Sequence, residues 1–222
     1  MMAAALRADP AGCVHDICDG AAVMVGGFGE AGLPSALLGA LLDQGARDLT
    51  IISNNAGSGE DGIARLLAAG RVRKVICSFP RSTNSETFAE LYRAGKVALE
   101  LVPQGTLSER IRAAGAGIPA FFTPTGADTS LADGKEQRSF DGRAHLLEYA
   151  LSSDFALIRA DRADHEGNLV YHLAARNFGP IMAMAATTTI AEVQSVVAPG
   201  ELDPEAIVTP GIFVDRLAQV RR

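Results

Sequence analysis

The chain has 222 residues, 48 % hydrophobic and 21 % charged, which excludes a disordered or fibrous polymer and supplies a core for one domain. Lys and Arg number 20 against 26 Asp and Glu, a net charge of −6 that excludes a diffuse nucleic-acid-binding face but allows a local cationic pocket. Cys13, Cys18 and Cys77 form neither a disulfide framework nor a zinc-ligand spacing. The opening MMAAALRADP is too short for a signal peptide, and no run approaches ~18 apolar residues, so a cytoplasmic protein off the membrane is expected.

Residues 21–25 (AAVMV) read as a short buried strand. Gly26, Gly27, Gly29 and Gly32 follow it. Pro34 then opens a helix through PSALLGALLDQG, in which Leu37, Leu38, Leu41 and Leu42 share a face and Gly45 is the stop. A β-branched strand at 49–53 leads into a polar loop at 54–59, a helix over 60–69 and a strand at 72–78. Thr83 and Glu86 have capping-box spacing and start a helix that Gly95 ends. Residues 97–102 (VALELV) alternate as a strand, and Pro103-Gln104-Gly105 is a sharp loop. Thr106 and Glu109 form a second capping box, starting a helix through LSERIRAAGAG, and 118–122 is strand-like. Strand, loop and helix thus recur about four times, which predicts an α/β fold with an open, mostly parallel sheet flanked by helices. Residues 123–145 are polar and turn-rich. Strand-like pieces at 145–149, 155–160, 168–171 and 187–197 predict continuation of that sheet plus a β-rich C-terminal extension. No linker divides the chain, so residues 1–222 read as a single domain.

Gly27-Phe28-Gly29-Glu30-Ala31-Gly32 matches G-x-G-x-x-G between a strand and a helix. A dinucleotide fingerprint also needs an acid at the end of the next strand. That strand ends Ile52-Ser53-Asn54-Asn55, and Glu30 is ill suited to a pyrophosphate, which weighs against a nicotinamide cofactor. Two readings of the loop stay open. It is a tight turn without a ligand, or a cradle where backbone approaches a ligand and N–H groups at the helix start attract anions or carbonyl oxygens. Gln104 lies at the C-terminal edge of a predicted parallel strand, where open α/β sheets bind ligands. Its uncharged amide either bonds a neighbouring backbone or supports negative charge growing on a thioester carbonyl oxygen. Asn54 and Asn55 either donate to a ligand or hold their own turn. Arg176 either meets a carboxylate or fixes a loop. Arg71, Arg73, Lys74, Arg110 and Arg112 read as solvated. His15, His145, His165 and His172 lack ligand spacing, so no metal site is expected, and no G-x-S-x-G nucleophile turn occurs.

Taken in order, these motifs resemble the A-subunit side of the family I CoA-transferases. The resemblance lies in Gly26-Gly27-Phe28-Gly29 with Gly32-Leu33-Pro34 and in Ser53-Asn54-Asn55-Ala56-Gly57. It is strongest in ELVPQGTLSERIRAAGAGIPAFFTPTG at 100–126, and continues in Asp154-Phe155-Ala156-Leu157 and Ala174-Ala175-Arg176-Asn177-Phe178. Within the family the pattern is most similar to enzymes acting on 3-oxoadipate, with 3-oxoacid enzymes close by. The resemblance implies that Gly26, Gly27, Phe28, Gly29, Glu30, Ala31 and Gly32 form the CoA-associated loop and that Gln104 supports the thioester oxyanion. It implies a nucleophilic Glu on a B subunit, in a Glu-Asn-Gly-type motif. No Glu here precedes Asn-Gly; Glu60-Asp61-Gly62 is the nearest look-alike. It further implies a B-subunit partner in an A2B2 heterotetramer, coenzyme A esters and a carboxylic acid as substrates, and no permanently bound cofactor. Gly126-Ala127-Asp128-Thr129 departs from the family's more usual Gly-Tyr-Gly-Thr and removes an aromatic from that loop. A non-catalytic phosphosugar-binding protein on a similar fold is the alternative.

Overall fold

The computed structural model describes residues 6–81 and 86–220. Strand β1 (Leu6–Ala8) leads into α1 (Pro10–Val14), which starts where Asp9 accepts a 2.7 Å hydrogen bond from the Gly12 amide and Pro10 presets the first turn. Next come β2 (Ala22–Val25) and α2 (Ser35–Gln44), the latter closed by Gly45 at φ +101°. The alternation continues through β3 (Leu49–Asn55), α3 (Gly62–Ala68), β4 (Val72–Phe79), α4 (Glu86–Arg93), β5 (Ala98–Leu101) and α5 (Gln104–Gly115). Shorter strands follow: β6 (Ala120–Thr123), β7 (Gln137–Phe140), β8 (Arg143–Tyr149), β9 (Ser153–Arg159), β10 (Arg162–Asp164) and β11 (Leu169–Val170). The described chain ends with α6 (Gly179–Ala185), β12 (Ala186–Val193), β13 (Ser195–Val197) and β14 (Arg216–Gln219).

Eight strands form one sheet in the order β1-β14-β12-β9-β2-β3-β4-β5, and every neighbouring pair is parallel. A parallel sheet needs cover on both faces. The pleat supplies two apolar surfaces: Val23, Val25, Ile51, Val75 and Leu157 pack with α1 to α4, while Met24, Ile52, Ile76, Ala156 and Ile158 pack with α5 and α6. Strand order runs one way from β2 to β5 and the other way through β9, β12 and β14. The carboxyl ends of β2 and β9 therefore flank a topological switch point, where such sheets open a crevice. Two three-stranded sheets lie outside: the antiparallel β6-β8-β7, and β11-β10-β13.

The α/β architecture agrees with the sequence reading, and several details differ. Helix α5 starts at Gln104, so Pro103-Gln104-Gly105 enters the helix instead of forming a separate loop. Thr106 is buried inside that helix, its hydroxyl without a partner among the described residues, and Glu109 pairs with Arg112 at 2.6 Å instead of capping. The 187–197 segment is two strands in two sheets, and β1, α1, α6 and β14 were not anticipated. Arg110 is not solvated: it donates to Glu100 at 2.9 Å and to the Tyr149 carbonyl at 2.8 Å, while Lys74 meets the other Glu100 oxygen at 2.6 Å. Thr83 of the first capping box lies outside the described residues.

Candidate active site

Strands β2, β3, β4 and β5 all end at one edge of the sheet, and the segments that leave them enclose a cleft of about 470 Å³. Its described lining is Phe28 and Gly29 after β2, Asn54 and Asn55 at the end of β3, Ser58, Ser78 and Phe79 of β4, and Gln104. Phe28 and Phe79 expose 53 % and 57 % of their surface there, an unusual exposure for phenylalanine and suited to covering an apolar part of a ligand.

Gln104 is the first residue of α5, and its side chain is held from β3. Its Nε2 donates to Asn54 Oδ1 at 2.7 Å. Ser78 Oγ has one hydrogen to give and lies within reach of two acceptors, the same oxygen at 2.8 Å and the Asn54 carbonyl at 3.0 Å. Asn54 Oδ1 thus faces two donors, and Asn54 itself is 4 % exposed. Gln104 Nε2 carries two hydrogens and spends one on Asn54; among the described residues the second has no hydrogen-bond partner. Asn55 holds its own turn, its Oδ1 accepting from the Gly57 amide at 2.8 Å.

The glycine loop folds back on itself. Phe28 and Ala31 exchange backbone hydrogen bonds at 3.0 and 3.3 Å around Gly29 at φ +60°. Gly26 packs over β9, with its amide donating to the Leu157 carbonyl at 2.9 Å. Gly32, at φ +77°, passes so close to the 174–177 turn that a Cβ there would run into the Ala175 carbonyl oxygen and lie 2.8 Å from Asn177 Nδ2. Asn177 Oδ1 accepts from the Gly27 amide at 3.0 Å, and its Nδ2 donates to the Ala31 carbonyl at 2.9 Å. Glu30 stands at the rim and accepts from Ser58 Oγ at 3.3 Å.

Of the two readings left open for this loop, the cradle loses its helix-start amides. The helix start after it is not an open anion seat: the buried Glu192 carboxylate accepts from the Ala36 and Leu37 amides at 2.8 and 3.3 Å. Arg159 stands 3.9 Å from the other Glu192 oxygen. A pyrophosphate would compete with a built-in carboxylate, which removes the physical basis of the dinucleotide reading. Of the sequence candidates, Phe28, Gly29, Asn54, Asn55 and Gln104 come together on the cleft, while Gly26, Gly27, Ala31 and Gly32 shape the loop behind it. Arg176 ends an exposed 3₁₀ turn, Leu173–Arg176, and is neither part of that lining nor in any described ion pair. Ser78, Asn177 and Glu192 were missed; of these, only Asn177 sat inside a motif already singled out. Among the described residues no group of three or more His, Cys, Asp or Glu is placed to hold a metal ion. No described helix is long and apolar enough to cross a membrane.

The model of the Coenzyme A transferase family matches residues 8–219. The chain is 64 % identical over 210 residues to the A subunit of 3-oxoadipate CoA-transferase from Pseudomonas putida, covering 95 % of this chain and 91 % of that protein. It is 53 % identical over 201 residues to the A subunit of succinyl-CoA:3-ketoacid coenzyme A transferase from Xanthomonas campestris pv. campestris, covering 90 % and 82 %. Among solved structures, an acyl-CoA transferase from E. coli O157:H7, in a thioester complex with CoA, is similar with a TM-score of 0.86 at 25 % identity. That match covers 98 % of this chain and 47 % of the other, so this chain spans about half its length. Glutaconate coenzyme A-transferase from Acidaminococcus fermentans shares the fold, with a TM-score of 0.86 at 21 % identity over 97 % of this chain and 75 % of that one. With a family match running nearly end to end, high identity to two of its members and the same parallel sheet, the chain belongs to the coenzyme A transferase family.

Proposed function

We propose that the chain is a single domain and the A-type half of a cytoplasmic enzyme that moves CoA from succinyl-CoA to 3-oxoadipate, in the catabolism of aromatic compounds. The substrate choice is supported by the 64 % identity to the A-type half of a 3-oxoadipate CoA-transferase. One observation carries the half-enzyme reading: the cleft offers amide and hydroxyl groups, and no described residue lining it is an acid. The nucleophile therefore comes from a B subunit, in a heterotetramer holding two copies of each polypeptide.

In this reading a partner glutamate attacks the succinyl-CoA thioester carbonyl and expels CoA thiolate, leaving a mixed anhydride. The thiolate then attacks the glutamyl carbonyl, releases succinate and forms a glutamyl-CoA thioester. The 3-oxo acid carboxylate reverses both steps and leaves as its CoA ester. Negative charge gathers on a former carbonyl oxygen at each tetrahedral stage. Gln104 donates its second Nε2 hydrogen to that oxygen, with the amide plane held by Asn54 and Ser78. Phe28 and Phe79 cover the acyl-CoA and keep bulk water from the anhydride. CoA esters are consumed and regenerated, so no resident cofactor is required.

The test is co-expression with a B-type partner bearing a Glu-Asn-Gly segment. The complex is expected to transfer CoA from succinyl-CoA to 3-oxoadipate in preference to acetoacetate, and the isolated chain to transfer none. Labelled CoA trapped as a thioester belongs on the partner polypeptide. Label on this chain would overturn the half-enzyme reading, and a preference for acetoacetate would move the enzyme to the 3-oxoacid branch.

A further inference from the structure

We infer that Asn177 is a positioning residue for CoA transfer: it clamps the glycine loop in the place from which Phe28 and Gly29 face Gln104. The inference rests on the loop's assignment to the acyl-CoA site. Asn177 follows the exposed 173–176 turn, and its single amide makes four hydrogen bonds. Oδ1 accepts from the Gly27 amide at 3.0 Å and from its neighbour Phe178 at 2.7 Å. Nδ2 donates to the carbonyls of Ala31 and Ala174, both at 2.9 Å. Both lone-pair sites and both hydrogens are thus used, and two of the four bonds reach opposite ends of the folded-back loop.

Two further observations point the same way. Asn177 has φ +20° and ψ −115°, a backbone geometry that side-chain-bearing residues rarely adopt and that persists only where surrounding contacts enforce it. Gly32 has no room for a Cβ because the Ala175 carbonyl and Asn177 Nδ2 press against it, so loop and turn interlock. The clamped segment is also close to the chemistry. Asn177 and Phe178 line a second recess of about 350 Å³ together with Phe28, Gln104, Gly105 and Ser108, and Phe28 and Gln104 are shared with the main cleft. A shift of the loop therefore moves one wall of the site relative to the amide that supports the oxyanion.

The discriminating variant is Asn177→Gly, which accepts the unusual backbone angles and deletes only the clamp. In the co-expressed complex kcat is expected to fall by about 10²-fold with KM for succinyl-CoA little changed, the scale expected of a small misplacement of reacting groups. Hydrogen exchange at the Phe28 and Ala31 amides of the full chain should accelerate. Combining Asn177→Gly with Gln104→Ala should cost less than the product of the single losses, because both act on one alignment. Asn177→Asp, which keeps the shape but turns an acceptor toward the Ala31 and Ala174 carbonyls, should behave like Asn177→Gly. Unchanged exchange at Phe28 and Ala31 overturns the clamp whatever the activity. Losses that multiply independently of Gln104 reduce Asn177 to a structural cross-link. A wild-type complex that transfers no CoA would strike the proposed function instead, and the exchange result would still decide the clamp.

Discussion

A glutamine amide has two hydrogens to give, and at Gln104 one is committed to Asn54 at 2.7 Å. That bond fixes the direction of the other, and Ser78 in turn fixes Asn54. Such a donor is worth most where charge develops in the transition state. Gln104→Ala in the reconstituted complex is expected to lower kcat by about 10²-fold while leaving KM for succinyl-CoA nearly unchanged. A drop confined to KM would assign the side chain to ground-state binding. The place of Gln104 at a strand's carboxyl end was legible from Pro103 and Gly105, whereas its oxyanion role was only what the family resemblance implied. Of its supports Asn54 was named in the sequence and Ser78 was not, nor were the residues that hold the glycine loop. The bond from Gly27 to Asn177 joins residues 150 apart, and the bond from Ala36 to Glu192 joins residues 156 apart. No local spacing announces such a pair.

Between residues and fold, the elements show where local patterns mislead. The Thr106-x-x-Glu109 spacing is that of a capping box, yet it falls within α5. Pro103, at φ −53°, cannot continue a helix backwards, and its carbonyl accepts the Leu107 amide at 2.8 Å, so the helix begins one residue after it. Beside that helix Glu100 of β5 joins Lys74 of β4 to Arg110 of α5. Burial works to raise the Glu100 carboxyl, but hydrogen bonds from Lys74 and Arg110 outweigh it and hold the group below the usual carboxylate range. A depressed folded-state value means that the unfolded chain takes up the proton first on acidification. The stabilisation is therefore complete above the unfolded value of about 4.3 and is lost as pH falls through the folded one. Urea midpoints followed from pH 7 to pH 3 should fall along that limb, and Glu100→Gln should flatten it; an identical acid limb in the variant would show that other carboxylates govern it.

At the scale of the molecule, the parallel sheet was legible because apolar strands alternating with helices leave few other arrangements. The closing strands were not. Strands β1 and β14 have three and four residues, too few for a periodic signature, and each pairs with a partner at the far end of the chain. They are held by Arg216, which grips Asp16 with two contacts of 2.5 and 2.6 Å and the Cys13 carbonyl at 2.8 Å. The hydrogen bonds from Arg216 hold the Asp16 carboxyl below its ordinary range. Removing residues 216–222 is expected to lower Tm and to abolish assembly with the B-type partner, as read by circular dichroism and gel filtration. Wild-type values in the shortened chain would show that β14 is dispensable.

Strand β14 lies between β12 and β1, so among the described strands β1 has no partner in the sheet until β14 is in place. During synthesis β1 therefore waits, unpaired in this sheet, for the more than two hundred residues that separate it from β14. A chain cut shortly before Arg216 yields a sheet lacking two strands rather than one, which offers quality-control proteases an open edge.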